Sequence, residues 1–186
     1  MSDAGDFLAR IVGALNEARI PHMVAGSVAS THHGVPRTTQ DIDLVIEASG
    51  LALKAFVTSL SPAAYYVSEE AALDALRLQG MFNVIDLATG WKVDLILRKR
   101  RPFSVEEFRR RTPARLLGAD VFVATPEDTI LTKLEWASMS GSERQLRDVA
   151  GVVDVKRGEL DVAYIERWAV ELGVVEPWRK VLGSSH

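Results

Sequence analysis

The 186 residues, 47% of them hydrophobic and 25% charged, are enough for one domain or two small ones with a substantial buried core. A net charge of −3 gives no global attraction to nucleic acid, although it leaves room for a local basic face. Without cysteine there is no disulfide and no thiolate-bound zinc. No signal peptide opens the chain, and no apolar run reaches the roughly eighteen residues that span a bilayer. A cytoplasmic protein without a membrane partner is therefore expected.

In chain order, Phe7, Leu8, Ile11, Val12 and Leu15 recur at helical spacing, predicting an amphipathic helix over 6–19 that Pro21 ends. His22 to Ala25 begins the first strand. Ser27 to His33 is expected as a short helix, with Gly34 as its stop. A Gly26-Ser27 turn leading into a helix is a place where backbone N–H groups can hold a phosphate. The plainer alternative is a tight turn with Ser27 as N-cap. His32 and His33 point apart on a helix and are read as packing or surface residues. Val35 to Gln40 follows as a loop. Its Arg37 either steadies a triphosphate, orients Asp43, or is a solvent-facing charge.

Asp41 to Glu47 is the second strand. Residues two apart on a strand share a face, so Asp41 and Asp43 project together while Ile42 and Leu44 turn into a core. Two such carboxylates call for a cation between them. All-oxygen donors suit Mg²⁺, whose remaining positions go to water and phosphate. Helices are expected at 51–60 and 68–77. Met81–Leu87 and Trp91–Leu97 should form a hairpin across Ala88-Thr89-Gly90. Asp94, set among Val93, Leu95 and Ile96, is costly to bury alone and should meet a metal or an arginine. Asp86 is the rival third acid, or else a solvated residue ahead of the turn.

The order Gly26-Ser27, thirteen residues, Asp41-Ile42-Asp43-Leu44, and then Asp94 resembles the nucleotidyltransferase superfamily of the DNA polymerase beta type. The second half, through Thr125–Lys133 and Glu143–Asp148, is similar to the AbiEii-type toxin branch. The resemblance spans roughly residues 20 to 155. It implies two Mg²⁺ ions, or Mn²⁺ in their place, on Asp41, Asp43 and Asp94. It also implies an NTP held by Gly26, Ser27, Arg37 and Lys133, with Asp148 completing the catalytic set through an Arg-Asp pair. The implied activity is transfer of NMP to an acceptor hydroxyl with release of pyrophosphate. In the toxin branch the acceptor is tRNA and the partner an antitoxin. The alternatives are a small aminoglycoside-like acceptor, a protein acceptor, or a non-catalytic nucleotide- or partner-binding domain.

Between Arg98 and Arg115 the composition turns basic. Arg98, Lys99, Arg100 and Arg101 form a candidate RNA-acceptor rim, against the alternative of a helix with acid–base pairs across one turn. Val121 to Ala124 is the last strand expected. Thr125 and Pro126 then begin a helix as N-cap and first-turn residue. Lys133 lies off its apolar stripe, where an exposed lysine is the ordinary outcome. Helices over 142–155, 159–172 and 176–182 should bury Tyr164, Ile165, Trp168 and Trp178. The expected fold is α+β: a short mixed sheet flanked by helices over 1–124, then a C-terminal helical part over 125–186 that closes the cleft.

Overall fold

A computed structural model describes residues 3–39 and 41–184. Residues 1, 2, 40, 185 and 186 lie outside the described residues, and with them Gln40, the last position of the expected 35–40 loop. The elements are α1 (Asp3–Glu17), β1 (His22–Val24), α2 (Gly26–His33), β2 (Asp41–Ile46), α3 (Gly50–Ser59), β3 (Tyr65–Tyr66), α4 (Glu69–Leu78) and β4 (Met81–Asp86). They continue with β5 (Lys92–Leu97), α5 (Pro102–Arg110), β6 (Thr112–Leu116), β7 (Ala119–Val123), α6 (Pro126–Ser140), α7 (Glu143–Val155), α8 (Val162–Leu172) and α9 (Val175–Ser184). The chain gathers into two compact units. One holds residues 1–24 and 39–123; the other holds 25–38 and 124–186, so α2 groups with the C-terminal helices.

The first unit is a mixed sheet in the order β3-β4-β5-β2-β1-β7-β6, with β2 parallel to β5, β1 parallel to β7, and the other pairs antiparallel. Alternation along the strands sorts the side chains. Ile42, Leu44 and Ile46 are buried, as are Val93, Leu95 and Leu97 opposite them. The apolar stripe of α1 (Phe7, Leu8, Ile11, Val12, Leu15) is buried in the same unit, along with Leu53 and Phe56 of α3. Polar positions of the same strands leave by the opposite face.

The hairpin β4–β5 forms as its sequence predicts, with Phe82 opposite Leu95 and Val84 opposite Val93. Asp86 is not solvated. It is 3% exposed, paired with Arg10 of α1, and its Oδ1 accepts from Ala88 N at 2.9 Å and Thr89 N at 3.1 Å, tying the turn. Burial pushes this carboxyl up, but the two backbone donors and Arg10 outweigh it and hold the group below its usual range. Asp86→Ala should cost about 1–3 kcal/mol, because two turn amides and Arg10 lose their acceptor at once. A chemical denaturation midpoint within error of wild type would contradict this.

The basic segment divides between α5 and an edge strand the sequence reading did not separate. On α5, Arg109 pairs with Glu106 one turn away. β6 then returns on β7 through Leu117 (φ 52°) and Gly118 (φ 88°), both left-handed, as a two-residue hairpin turn requires. Pro113 and Arg115 on β6 suit an edge strand, which gives up hydrogen bonds and resists pairing with another chain.

The second unit is helical. Thr125 caps α6 by accepting from Asp128 N, with Pro126 in the first turn, as expected. Asp128 is fully buried; Thr125 Oγ1 and Tyr164 Oη donate to its two oxygens at 2.7 and 2.6 Å, which locks α8 to the start of α6. Ile165 and Trp178 are buried, and Trp168 lies edge-on to Tyr164. His33 is buried and its Nε2 donates to the Ala124 carbonyl at 2.7 Å, which accounts for it as a packing residue; His32 is exposed. α2 meets α7 where Gly34 stops the helix. A Cβ built there would lie 2.8 Å from Val152 N and 2.9 Å from Gly151 C, both backbone atoms that cannot swing away. Gly34→Ala should therefore destabilise the protein by about 1–3 kcal/mol, read as a fall in the urea midpoint; an unchanged midpoint would show that the helices separate freely.

Candidate active site

The acidic face of the first unit follows from register. Asp43 stands directly opposite Asp94 on the parallel pair β2–β5, and Asp41 stands opposite Lys92. Because paired residues share a face, all four side chains leave the sheet together. Asp41 is exposed, Asp43 half-buried and Asp94 buried at 7% exposure. The acids are graded from solvent inward.

Among the described residues the cation paired with Asp94 is a lysine rather than an arginine. Lys92 Nζ donates to Asp94 Oδ2 at 2.9 Å and lies 3.5 Å from Asp41 Oδ1, so an ammonium bridges two of the three acids. The hydrogen bond to Asp94 raises the Lys92 pKa, with the charges of Asp94 and Asp41 adding to it and burial opposing it. The other oxygen, Asp94 Oδ1, is buried with no hydrogen-bond partner among the described residues. Among those residues no three of His, Cys, Asp and Glu are gathered tightly enough to hold a metal by themselves. The donor set nonetheless suits Mg²⁺, which needs only one or two protein carboxylates and completes its shell with waters and substrate phosphates. An unsatisfied buried carboxylate oxygen beside a second and third acid is the kind of donor that such an ion would use.

The second unit holds a separate cluster of its own. Ala25, at the N-cap position of α2, has no side-chain oxygen to cap the first turn, and Gly26 takes a left-handed φ of 58° that glycine adopts without strain. Ser27 is thus inside the helix rather than its N-cap. Arg37 is not a free loop charge: its Nη2 donates to Ser27 Oγ. Its Nε and Nη2 also grip Asp148 side-on at 2.9 and 3.0 Å.

Lys133 is likewise not an exposed helix lysine. It is 3% exposed, and its Nζ donates to Asp148 Oδ2 at 2.7 Å and to Gln145 Oε1 at 2.9 Å. Asp148 therefore pairs with Arg37 and Lys133 rather than with the adjacent Arg147. Burial pushes its carboxyl up, but hydrogen bonds from Arg37 and Lys133 prevail and hold it below the usual carboxylate range.

The proposed acceptor rim is less open than its composition suggests. Arg98 is ion-paired to Glu47 at 2.6 Å, and Arg101 donates to Ser104 Oγ and lies over the Phe103 ring. Lys99 and Arg100 are exposed. Lys92 and Gln145 are the two site residues that sequence reasoning missed. Lys92 was within reach, since it precedes Asp94 by two and so shares its strand face; Gln145 gave no signal.

No family model matches the sequence, and no curated protein matches it. Solved structures do match by fold. ANT(2'')-Ia in complex with adenylyl-2''-tobramycin superposes with TM-score 0.59 at 16% identity, over 92% of this chain and 97% of that one. An antigenic nucleotidyltransferase-like protein from Paracoccidioides brasiliensis gives 0.58 at 14%, over 98% and 91%. The lincosamide antibiotic adenylyltransferase LnuA, lincomycin-bound, gives 0.54 at 9%, over 83% and 98%. At these identities the likeness is one of fold: the chain has the α+β fold of these nucleotidyltransferases, as its motifs led us to expect.

Proposed function

We propose that the protein is a divalent-metal-dependent nucleotidyltransferase that moves NMP from an NTP to an acceptor hydroxyl. The observation that carries this reading is Asp43 directly opposite Asp94 on adjacent parallel strands, with one Asp94 oxygen buried and unsatisfied. Asp41, Asp43 and Asp94 would hold Mg²⁺ (two ions, with Mn²⁺ able to serve). When bound, the metal would offset the charge on the triphosphate and stabilise the attacking and leaving oxygens. The uncapped first turn of α2, with Gly26 and Ser27, would offer backbone N–H groups to the phosphates. Arg37 would hold Ser27 and add positive charge for the triphosphate. In the transfer, the acceptor oxygen bonds to the α-phosphorus, the bond to pyrophosphate breaks, and the hydroxyl proton leaves through the carboxylates to water.

Lys133 and Asp148 fit a supporting role better than direct chemistry. A carboxylate held below its usual range by two cations is a weak base, so Asp148 is proposed as the residue that positions Arg37, with Lys133 fixing Asp148.

For the acceptor, a small hydroxylated molecule is the favoured reading. Two of the fold matches, covered over 97% and 98% of their own chains, hold adenylyl-2''-tobramycin and lincomycin. The tRNA-directed toxin reading, with an antitoxin partner, rests on the resemblance of Lys133 and Asp148 to the AbiEii-type pattern. Its basic rim is reduced to Lys99 and Arg100 by the pairing of Arg98 and Arg101. The test is incubation of the protein with each α-labelled NTP, Mg²⁺ and, separately, an aminoglycoside and lincosamide panel, total RNA, or cell protein. Label on a small molecule is expected. Label confined to RNA would replace the acceptor assignment, and no transfer to any fraction would overturn the activity.

A further inference from the structure

The transfer chemistry leaves Lys92 without a role, although its ammonium sits in the middle of the acids. It stands 2.9 Å from Asp94 Oδ2 and 3.5 Å from Asp41 Oδ1, on the strand face that also carries Asp43. A divalent cation held by the same carboxylates would have to occupy that space, and two cations cannot share it. The lysine satisfies only one oxygen of Asp94; Oδ1, buried and without a hydrogen bond among the described residues, is left over. A cation of higher charge can serve both. Lys92 also has a way out. Its side chain is 32% exposed and ends in a flexible stem whose ammonium hydrates strongly, so it can leave for water without unfolding the strand.

We infer that Lys92 is a resident counter-ion that keeps the unloaded carboxylates together and must swing away for a divalent cation to enter. Lys92 thereby sets the cation concentration at which the site fills. This rests on Asp41, Asp43 and Asp94 being the metal-holding set. Lysine is a positioning residue here: it keeps like charges from repelling, and it excludes the ion until that ion is abundant enough to compete.

The test titrates Mn²⁺ into the full chain without nucleotide, following free Mn²⁺ by electron paramagnetic resonance. Lys92→Met should bind Mn²⁺ at least about tenfold more tightly than wild type, and Lys92→Arg, which retains a competing charge, should stay near wild type. Equal or weaker binding by Lys92→Met overturns the counter-ion role and leaves the transferase reading standing. Asp94→Asn binding Mn²⁺ as tightly as wild type would place the ion elsewhere, and both ideas fall. A second measurement needs no variant. Saturating wild type with Mg²⁺ should raise reductive methylation of Lys92, read by mass spectrometry, because the freed ammonium becomes accessible. Unchanged labelling of Lys92 under saturation contradicts the inference.

Discussion

Asp43→Asn and Asp94→Asn should each reduce nucleotidyl transfer at least about a thousandfold while leaving the circular dichroism spectrum of the wild type. Each substitution keeps the shape of the side chain and removes one negative charge from the face where β2 and β5 run side by side. If those carboxylates hold the ion that neutralises the triphosphate, losing one removes several kcal/mol of charge stabilisation from the transition state, and roughly 1.4 kcal/mol is a factor of ten in rate. The fold should tolerate the change. The core of the first unit lies on the other side of the strands, with Ile42, Leu44, Val93 and Leu95 all buried there. Transfer by either variant at half the wild-type rate would remove these acids from the reaction.

Asp148→Ala should lower stability by about 3–5 kcal/mol, the largest single effect expected outside the acidic face. The reason is what it would abandon. The Lys133 side chain is only 4% exposed and depends on Asp148 and Gln145, and Arg37 loses both of its carboxylate bonds. Removing the acid takes from a buried ammonium the carboxylate that lies 2.7 Å away, whereas Lys133→Met with Asp148→Leu removes both charges and should recover much of the loss. Urea denaturation of the three proteins checks this; a double variant no better than Asp148→Ala would show that the ion pair is not the source.

The pH dependence has a definite sign. The Asp148 carboxyl is held below its ordinary range in the folded protein. Its contribution to stability is therefore complete above the unfolded carboxylate value of about 3.9. It is lost as pH falls through the depressed folded value. The gap between wild type and Asp148→Asn should be widest near neutrality and close in strong acid.

Local pattern carried the reading where the relevant neighbours are close in sequence. Alternation in Asp41-Ile42-Asp43-Leu44 gave the face of each side chain, and Ala88-Thr89-Gly90 gave the hairpin. It failed where the partner is remote. Asp86 looks solvated beside its turn because its cation, Arg10, comes from α1, 76 residues away. Lys133 looks exposed because the polar side of α6 cannot be known to meet α7 until Asp148 and Gln145 are in place. β6 was hidden by Pro113 and by arginines, which suit an edge strand as well as a loop. Lys92 was legible in its face but not in its role, since bridging Asp41 and Asp94 depends on the β2–β5 register. The grouping of residues 25–38 with the C-terminal helices is equally invisible along the chain. It depends on close approaches such as that of Gly34 to the Val152 backbone.

The most direct measurement is a crystal of the protein grown with Mn²⁺ and a non-hydrolysable NTP, with the ion located by its anomalous scattering. A peak is expected at coordination distance from the carboxylates of Asp43 and Asp94. A nucleotide bound with its metal away from both residues would contradict this.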